Sequence, residues 1–126
     1  MEPLTIKASA FTPEILMDAE SNTFRITGNS YPESPEMFFQ PVYDWLKAYL
    51  FSHECKNEIQ IHFEFNYYNT SSSKVIAKLF RLIENSPNAE DVNIFWHYDE
   101  TDKDMLNAGR RYSSLYKIKF NLEPIV

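Results

Sequence analysis

Glycine is nearly missing from this 126-residue chain: only Gly28 and Gly109 occur. Neither a phosphate-cradling P-loop nor a dinucleotide fingerprint can be built from isolated glycines, because both need several within a few residues to bring the backbone against a phosphate. The nucleophile elbow, with glycines flanking a serine in a tight turn, is missing too. Cysteine is reduced to Cys55, so there is no internal disulfide, which fits a reducing compartment. Basic clusters are also lacking. None exceeds the pair Arg110-Arg111, and the net charge is −6, so counterion release could contribute little to nucleic-acid binding. The many aromatics would suit a single-strand platform only beside a basic groove, and the sequence shows none. No apolar run approaches a membrane span, and the opening MEPLTIKASA lacks the basic-then-apolar order of a signal peptide. The expectation is a cytoplasmic protein with no membrane or nucleic-acid partner and no cofactor.

What is present is a core. The hydrophobic fraction of 44% and aromatic fraction of 16% argue against disorder, and the length suits one domain spanning 1–126. Short strands are expected at Leu4–Ala8 and Glu14–Asp18, with a hairpin turn before a third at Thr23–Thr27, where Phe24 and Ile26 point inward. Gly28 would end that strand and open a loop to Pro35. Ser34-Pro35 reads as a helix N-cap followed by proline at the first helical position. Pro41 then either kinks that helix or marks a new start near Gln40, before the apolar face of Val42, Trp45, Leu46, Tyr49 and Leu50. Glu58–Tyr67 is the strongest strand signal, with Ile59, Ile61, Phe63, Phe65 and Tyr67 on one face and Tyr68 on the other. A helix follows from Ser71 to about Asn85, then a strand at Val92–Tyr98. A shorter helix at Glu100–Ala108 is expected to stop at Gly109, and a last strand covers Tyr116–Leu122. Strands and helices alternate after residue 30, so the fold class is α/β: a mixed sheet with packed helices, its first strands antiparallel.

Two polar clusters could carry chemistry. His62 and Glu64 share a strand face, and His97 and Asp99 lie on a later strand. Brought together, they would resemble a metal or acid–base site for a small enzyme. The alternative is that such residues face water or lie under a helix. No HExxH or CxxC spacing supports a metal, and Asp99–Asp104 lacks the glycine and terminal glutamate of a calcium loop. The second cluster is Asn69-Thr70-Ser71-Ser72-Ser73, at a strand-to-helix junction. Asn69 or Thr70 would cap the helix by accepting a backbone N–H. A hydroxyl exposed there could instead carry a phosphate, stabilised by the free N–H groups of the helix end. If the hydroxyls only cap, the chain is a constitutive interaction scaffold.

Four blocks in this order resemble the SiaC-type regulatory phosphoproteins: Gly28-Asn29-Ser30-Tyr31-Pro32-Glu33; Phe39-x-Pro41-x-x-x-Trp45-Leu46-x-x-Tyr49; Phe65-Asn66-Tyr67-Tyr68-Asn69-Thr70-Ser71-Ser72; and Trp96-x-Tyr98. The resemblance covers nearly the whole chain. It implies a STAS-like domain, similar to anti-sigma-factor antagonists, without catalytic activity. It further implies phosphorylation by a serine/threonine kinase of the histidine-kinase ATPase type and dephosphorylation by a PP2C-like phosphatase. The unphosphorylated form would bind and activate a diguanylate cyclase, and so promote cyclic di-GMP synthesis and biofilm formation. Carried onto this chain, the phosphoacceptor is Thr70, with Ser71 and Ser72 as neighbouring hydroxyls that could compete. The docking surface would comprise Tyr31, Pro32, Glu33, Tyr68, Asn69, Ser71 and Ser72.

Overall fold

A computed structural model of the chain describes residues 1–52, 55–56 and 58–126. Six strands form one sheet in consecutive order: β1 (Leu4–Ile6), β2 (Glu14–Asp18), β3 (Thr23–Ser30), β4 (Ile59–Tyr68), β5 (Val92–Asp99) and β6 (Lys119–Ile125). The first three pair antiparallel, and β3 to β6 pair parallel. Parallel neighbours need a crossover, and each one carries a helix: α1 (Pro35–Leu50), α2 (Thr70–Glu84) and α3 (Lys103–Leu115). Such crossovers are right-handed almost without exception, so strands laid down in consecutive order send all three helices to the same face. Burial follows that rule. Ile15, Met17, Phe24, Ile26, Ile59, Ile61, Phe63, Ile94 and Trp96 are buried under the helices. The alternating residues Arg25, Gln60, His62, Glu64 and His97 are exposed or half-buried on the bare face.

The helix starts have local causes. Ser34 accepts from Met37 N, Asn69 from Ser72 N and Asp102 from Met105 N, each satisfying an otherwise orphaned first-turn donor. Pro41 lies inside a continuous α1 and neither begins it nor breaks it. It occupies the solvent face, as does Met37, whose carbonyl loses its partner and can be hydrated there.

Other expectations are corrected. Gly109 does not stop α3 but lies in its interior, buried, because the helix passes so close to Trp96 that no side chain fits between them. The helix therefore starts later and ends later than expected, and β6 is displaced to Lys119–Ile125. Gly28 does not end β3 either. The strand runs to Ser30, with Gly28 at φ +123, where glycine avoids the strain of a side chain. The pairing slips there: Gly28 faces Phe65 whereas Asn29 faces Tyr67, which leaves Asn66 as an extra residue on β4. A one-residue slip exchanges the faces of everything beyond it. Tyr67 is therefore 54% exposed, not inward, and Tyr68 turns toward the core against Phe65 and Trp96.

Candidate functional site

The carboxyl ends of the parallel strands converge on one edge of the molecule, where open α/β sheets characteristically bind their ligands. β3 ends there at Ser30, β4 at Tyr68 and β5 at Asp99. Tyr31 and Tyr67 meet edge-on with ring centroids 5.6 Å apart, and Phe11 meets Tyr31 at 5.2 Å. The exposed aromatics Phe11 and Tyr67 thus extend Tyr31 into a ridge beside the first turn of α2. A groove of about 550 Å³ runs along it, lined by Ser9, Phe11, Thr12, Tyr31, Pro32 and Glu33. Beyond Tyr67 a second groove of about 540 Å³ is bounded by Tyr68, Asp102, Asp104 and Arg111.

The hydroxyl run separates into distinct roles. Asn69 is the cap, its Oδ1 accepting from Ser72 N at 2.8 Å. Thr70 and Ser71 are exposed. Their amide N–H groups belong to the first helical turn and have no intrahelical acceptor. Ser73 Oγ donates back to Thr70 O at 2.6 Å. Ser72 is fully buried and bonded to Ser30, so it is neither an accessible acceptor nor a surface contact. That corrects the expectation for Ser72: it lies on the face that α2 turns to the sheet. Tyr68 is only half-buried and still borders the second groove, with burial pushing its pKa above the usual tyrosine value. From the other side, Tyr112 OH donates to Ser73 O at 3.1 Å and ties α3 to the same turn. Burial above all, then Tyr68, pushes the Tyr112 hydroxyl far above its ordinary range, so it remains a neutral donor. Phe11, Ser30 and Tyr112 were not among the expected site residues. Each joins the site through contacts distant along the chain.

The alternative cluster comes together only in part. His62 Nδ1 and His97 Nε2 lie 2.8 Å apart on the bare sheet face, and the His62 ring stacks on Phe95. Burial first, then His97 and Arg25, hold the His62 pKa below its usual value, partly offset by Glu64. Asp99 is occupied locally: the Thr101 hydroxyl and N–H both donate to it and lower its pKa. The groove that Glu64 and Asp99 line includes neither histidine. Among the described residues, no group of three or more His, Cys, Asp or Glu side chains could hold a metal.

Residues 6–125 match the family described as SiaC family regulatory phosphoprotein. The chain belongs to the SiaC family. An uncharacterized protein of Pseudomonas aeruginosa (strain UCBPP-PA14) is 29% identical over 113 residues, covering 89% of this chain and 88% of that protein. The crystal structure of apo-SiaC from Pseudomonas aeruginosa superposes with a TM-score of 0.85 at 25% identity, over 98% of this chain and 99% of the other. SiaC in complex with the diguanylate cyclase SiaD, which it activates, superposes with a TM-score of 0.86 at 24% identity, over 97% and 99% of the two chains. The SiaC fold, a mixed six-stranded sheet with three helices, is thus the fold of this chain. The family is one of regulatory phosphoproteins, which act in signalling and not as enzymes. No helix among the described residues is long and apolar enough to cross a membrane.

Proposed function

We propose that this SiaC-family chain is a partner-switching protein whose unphosphorylated form binds and activates a diguanylate cyclase, and that Thr70 is its phosphoacceptor. The observation that carries the reading is the exposure of Thr70 at the start of α2, between the anchored residues Asn69 and Ser72 and beside the aromatic ridge. Phosphate there gains the free N–H groups of the helix end, so it can be added without unfolding anything. It also brings the formal charge from −6 to about −8, concentrated at one point of the surface. A partner that packs against Thr70, Tyr31, Pro32, Glu33, Asn69 and Ser71 must then desolvate that charge, at a cost of several kcal/mol. The kinase is of the histidine-kinase ATPase type, the phosphatase is PP2C-like, and the module works in the cytoplasm on cyclic di-GMP output.

The test uses the cyclase of the native host and three forms of the chain. Thr70→Ala should bind and activate it like the unmodified protein. Phosphorylated protein and Thr70→Glu should bind at least about a hundredfold more weakly, which corresponds to about 3 kcal/mol. Phosphorylated protein that activates as well as the unmodified form would sink the switch.

A further inference from the structure

The end of β3 and the start of α2 are joined by a closed ring of hydrogen bonds. Asn69 N donates to Ser30 O at 3.1 Å. Asn69 Oδ1 accepts from Ser72 N at 2.8 Å. Ser72 Oγ donates to the same Ser30 O at 3.0 Å, and Ser30 Oγ donates to Ser72 Oγ at 2.9 Å. Both serine side chains are completely buried.

Capping does not call for this arrangement, since Asn69 already supplies the acceptor. Packing does not call for it either. Ser72 stands one turn before the buried Val75 and Ile76, where an apolar side chain would fill the space without desolvating a hydroxyl. What a satisfied buried polar network adds is a single geometry, whereas apolar contacts tolerate sliding. Only Thr70 and Ser71 lie between the anchored residues 69 and 72, and both stand out into solvent. Ser73 is held by its own bond to Thr70 O and by Tyr112 on its carbonyl.

We infer that Ser30 and Ser72 are positioning residues for phosphorylation of the α2 turn, fixing it so that phosphate is delivered to Thr70 and not to Ser71 or Ser73. The inference rests on the reading of Thr70 as phosphoacceptor. In that step the Thr70 hydroxyl oxygen bonds to the γ-phosphorus of a nucleoside triphosphate. The bond from that phosphorus to the β–γ bridging oxygen breaks, the nucleoside diphosphate leaves with the electron pair, and the hydroxyl proton passes to a base on the kinase or to water. Neither serine touches these atoms. Their contribution is alignment, on which in-line phosphoryl transfer depends almost entirely.

The full chain and its Ser72→Ala, Ser30→Ala and Val75→Ala variants are incubated in native-host extract with Mg–ATP and a phosphatase inhibitor. Fragmentation mass spectrometry reads the rate at Thr70 and the phosphate found on Ser71 and Ser73. Thermal melts run in parallel. Ser72→Ala should slow Thr70 modification by about tenfold or more, given that small misplacements are costly in rate, and phosphate should spread to Ser71 and Ser73. Ser30→Ala, which leaves the Ser72 bond to the Ser30 carbonyl intact, should move both readouts the same way by less; it decides the matter alone if Ser72→Ala does not fold. Val75→Ala, a buried truncation on the same helix, should lower the melting temperature with no change in site selectivity. The inference is overturned if the serine variants keep wild-type rate and selectivity at Thr70, or if Val75→Ala shifts selectivity as far as they do. A wild-type chain that takes phosphate elsewhere, or not at all, overturns the phosphoacceptor reading as well.

Discussion

Gly109→Ala sets two opposing effects against each other, and the surroundings of Gly109 decide which wins. In an exposed helix interior, alanine stabilises by about 1 kcal/mol over glycine. Here a Cβ would stand 2.5 Å from Trp96 Cδ1, 2.9 Å from its Nε1 and 2.8 Å from Leu122 Cδ2. Ordinary carbon contacts begin near 3.5 Å, so something must move by about 1 Å. The indole cannot yield, because it is ringed by Phe63, Phe65, Phe80 and Tyr112 and its Nε1 donates to Met105 O at 3.0 Å. The helix must yield instead, straining that bond and the Tyr112–Ser73 bond as it lifts. Overpacking of this kind costs about 1–3 kcal/mol beyond any gain in propensity, so the net change should be destabilising. Urea unfolding followed by the fluorescence of Trp45 and Trp96 gives the sign. Ser113→Ala, exposed on the same helix, serves as the control for propensity alone. A Gly109→Ala midpoint at or above wild type, with an unchanged slope, refutes the close-approach argument.

Tyr112→Phe removes only the hydroxyl that donates to Ser73 O, and should cost about 1 kcal/mol in urea unfolding while leaving secondary structure intact; amide exchange in the first turn of α2 should quicken. His62 should give stability a pH dependence. Its folded pKa lies below the unfolded 6.5, so the unfolded chain binds more protons and stability rises with pH. That contribution is complete above 6.5 and is lost as pH falls through the folded value. His62→Gln should flatten the plot of urea midpoint against pH below pH 6.5, where the unfolded imidazole takes up its proton first, and an unaltered slope there would assign the dependence to other groups.

The elements with strong periodicity can be read from the sequence because their cause is local. Ile59, Ile61, Phe63 and Phe65 alternate because one face of β4 is covered by helices, and Val75, Ile76, Leu79 and Phe80 recur because α2 covers it. What cannot be read depends on a neighbour. The slip at Asn66 is a property of the β3–β4 register, and nothing within β4 announces it; strict alternation therefore puts Tyr67 and Tyr68 on the wrong faces. Gly109 is ambiguous in sequence because glycine serves both helix ends and close approaches, and only the position of Trp96 decides between them. Pro41 is ambiguous for a similar reason: whether a helix tolerates it depends on which side of α1 meets solvent.

The hydroxyl run is only half legible, though the missing half is written in the helical period. Ser72, Val75, Ile76 and Leu79 stand at the i, i+3, i+4, i+7 spacing of a single face. Extending the apolar stripe of α2 back by one turn therefore places Ser72 on the sheet side from spacing alone. A serine at a core position of an amphipathic helix must find a partner, because an unpaired buried hydroxyl is costly. What the sequence cannot supply is that partner. Ser30 reaches it only because β3 continues through Gly28 and keeps Ser30 inward, opposite the end of β4. The extra residue on β4 exposes Tyr67 for the aromatic ridge, while the alternation of β3 through Phe24, Ile26 and Gly28 turns Ser30 toward Ser72.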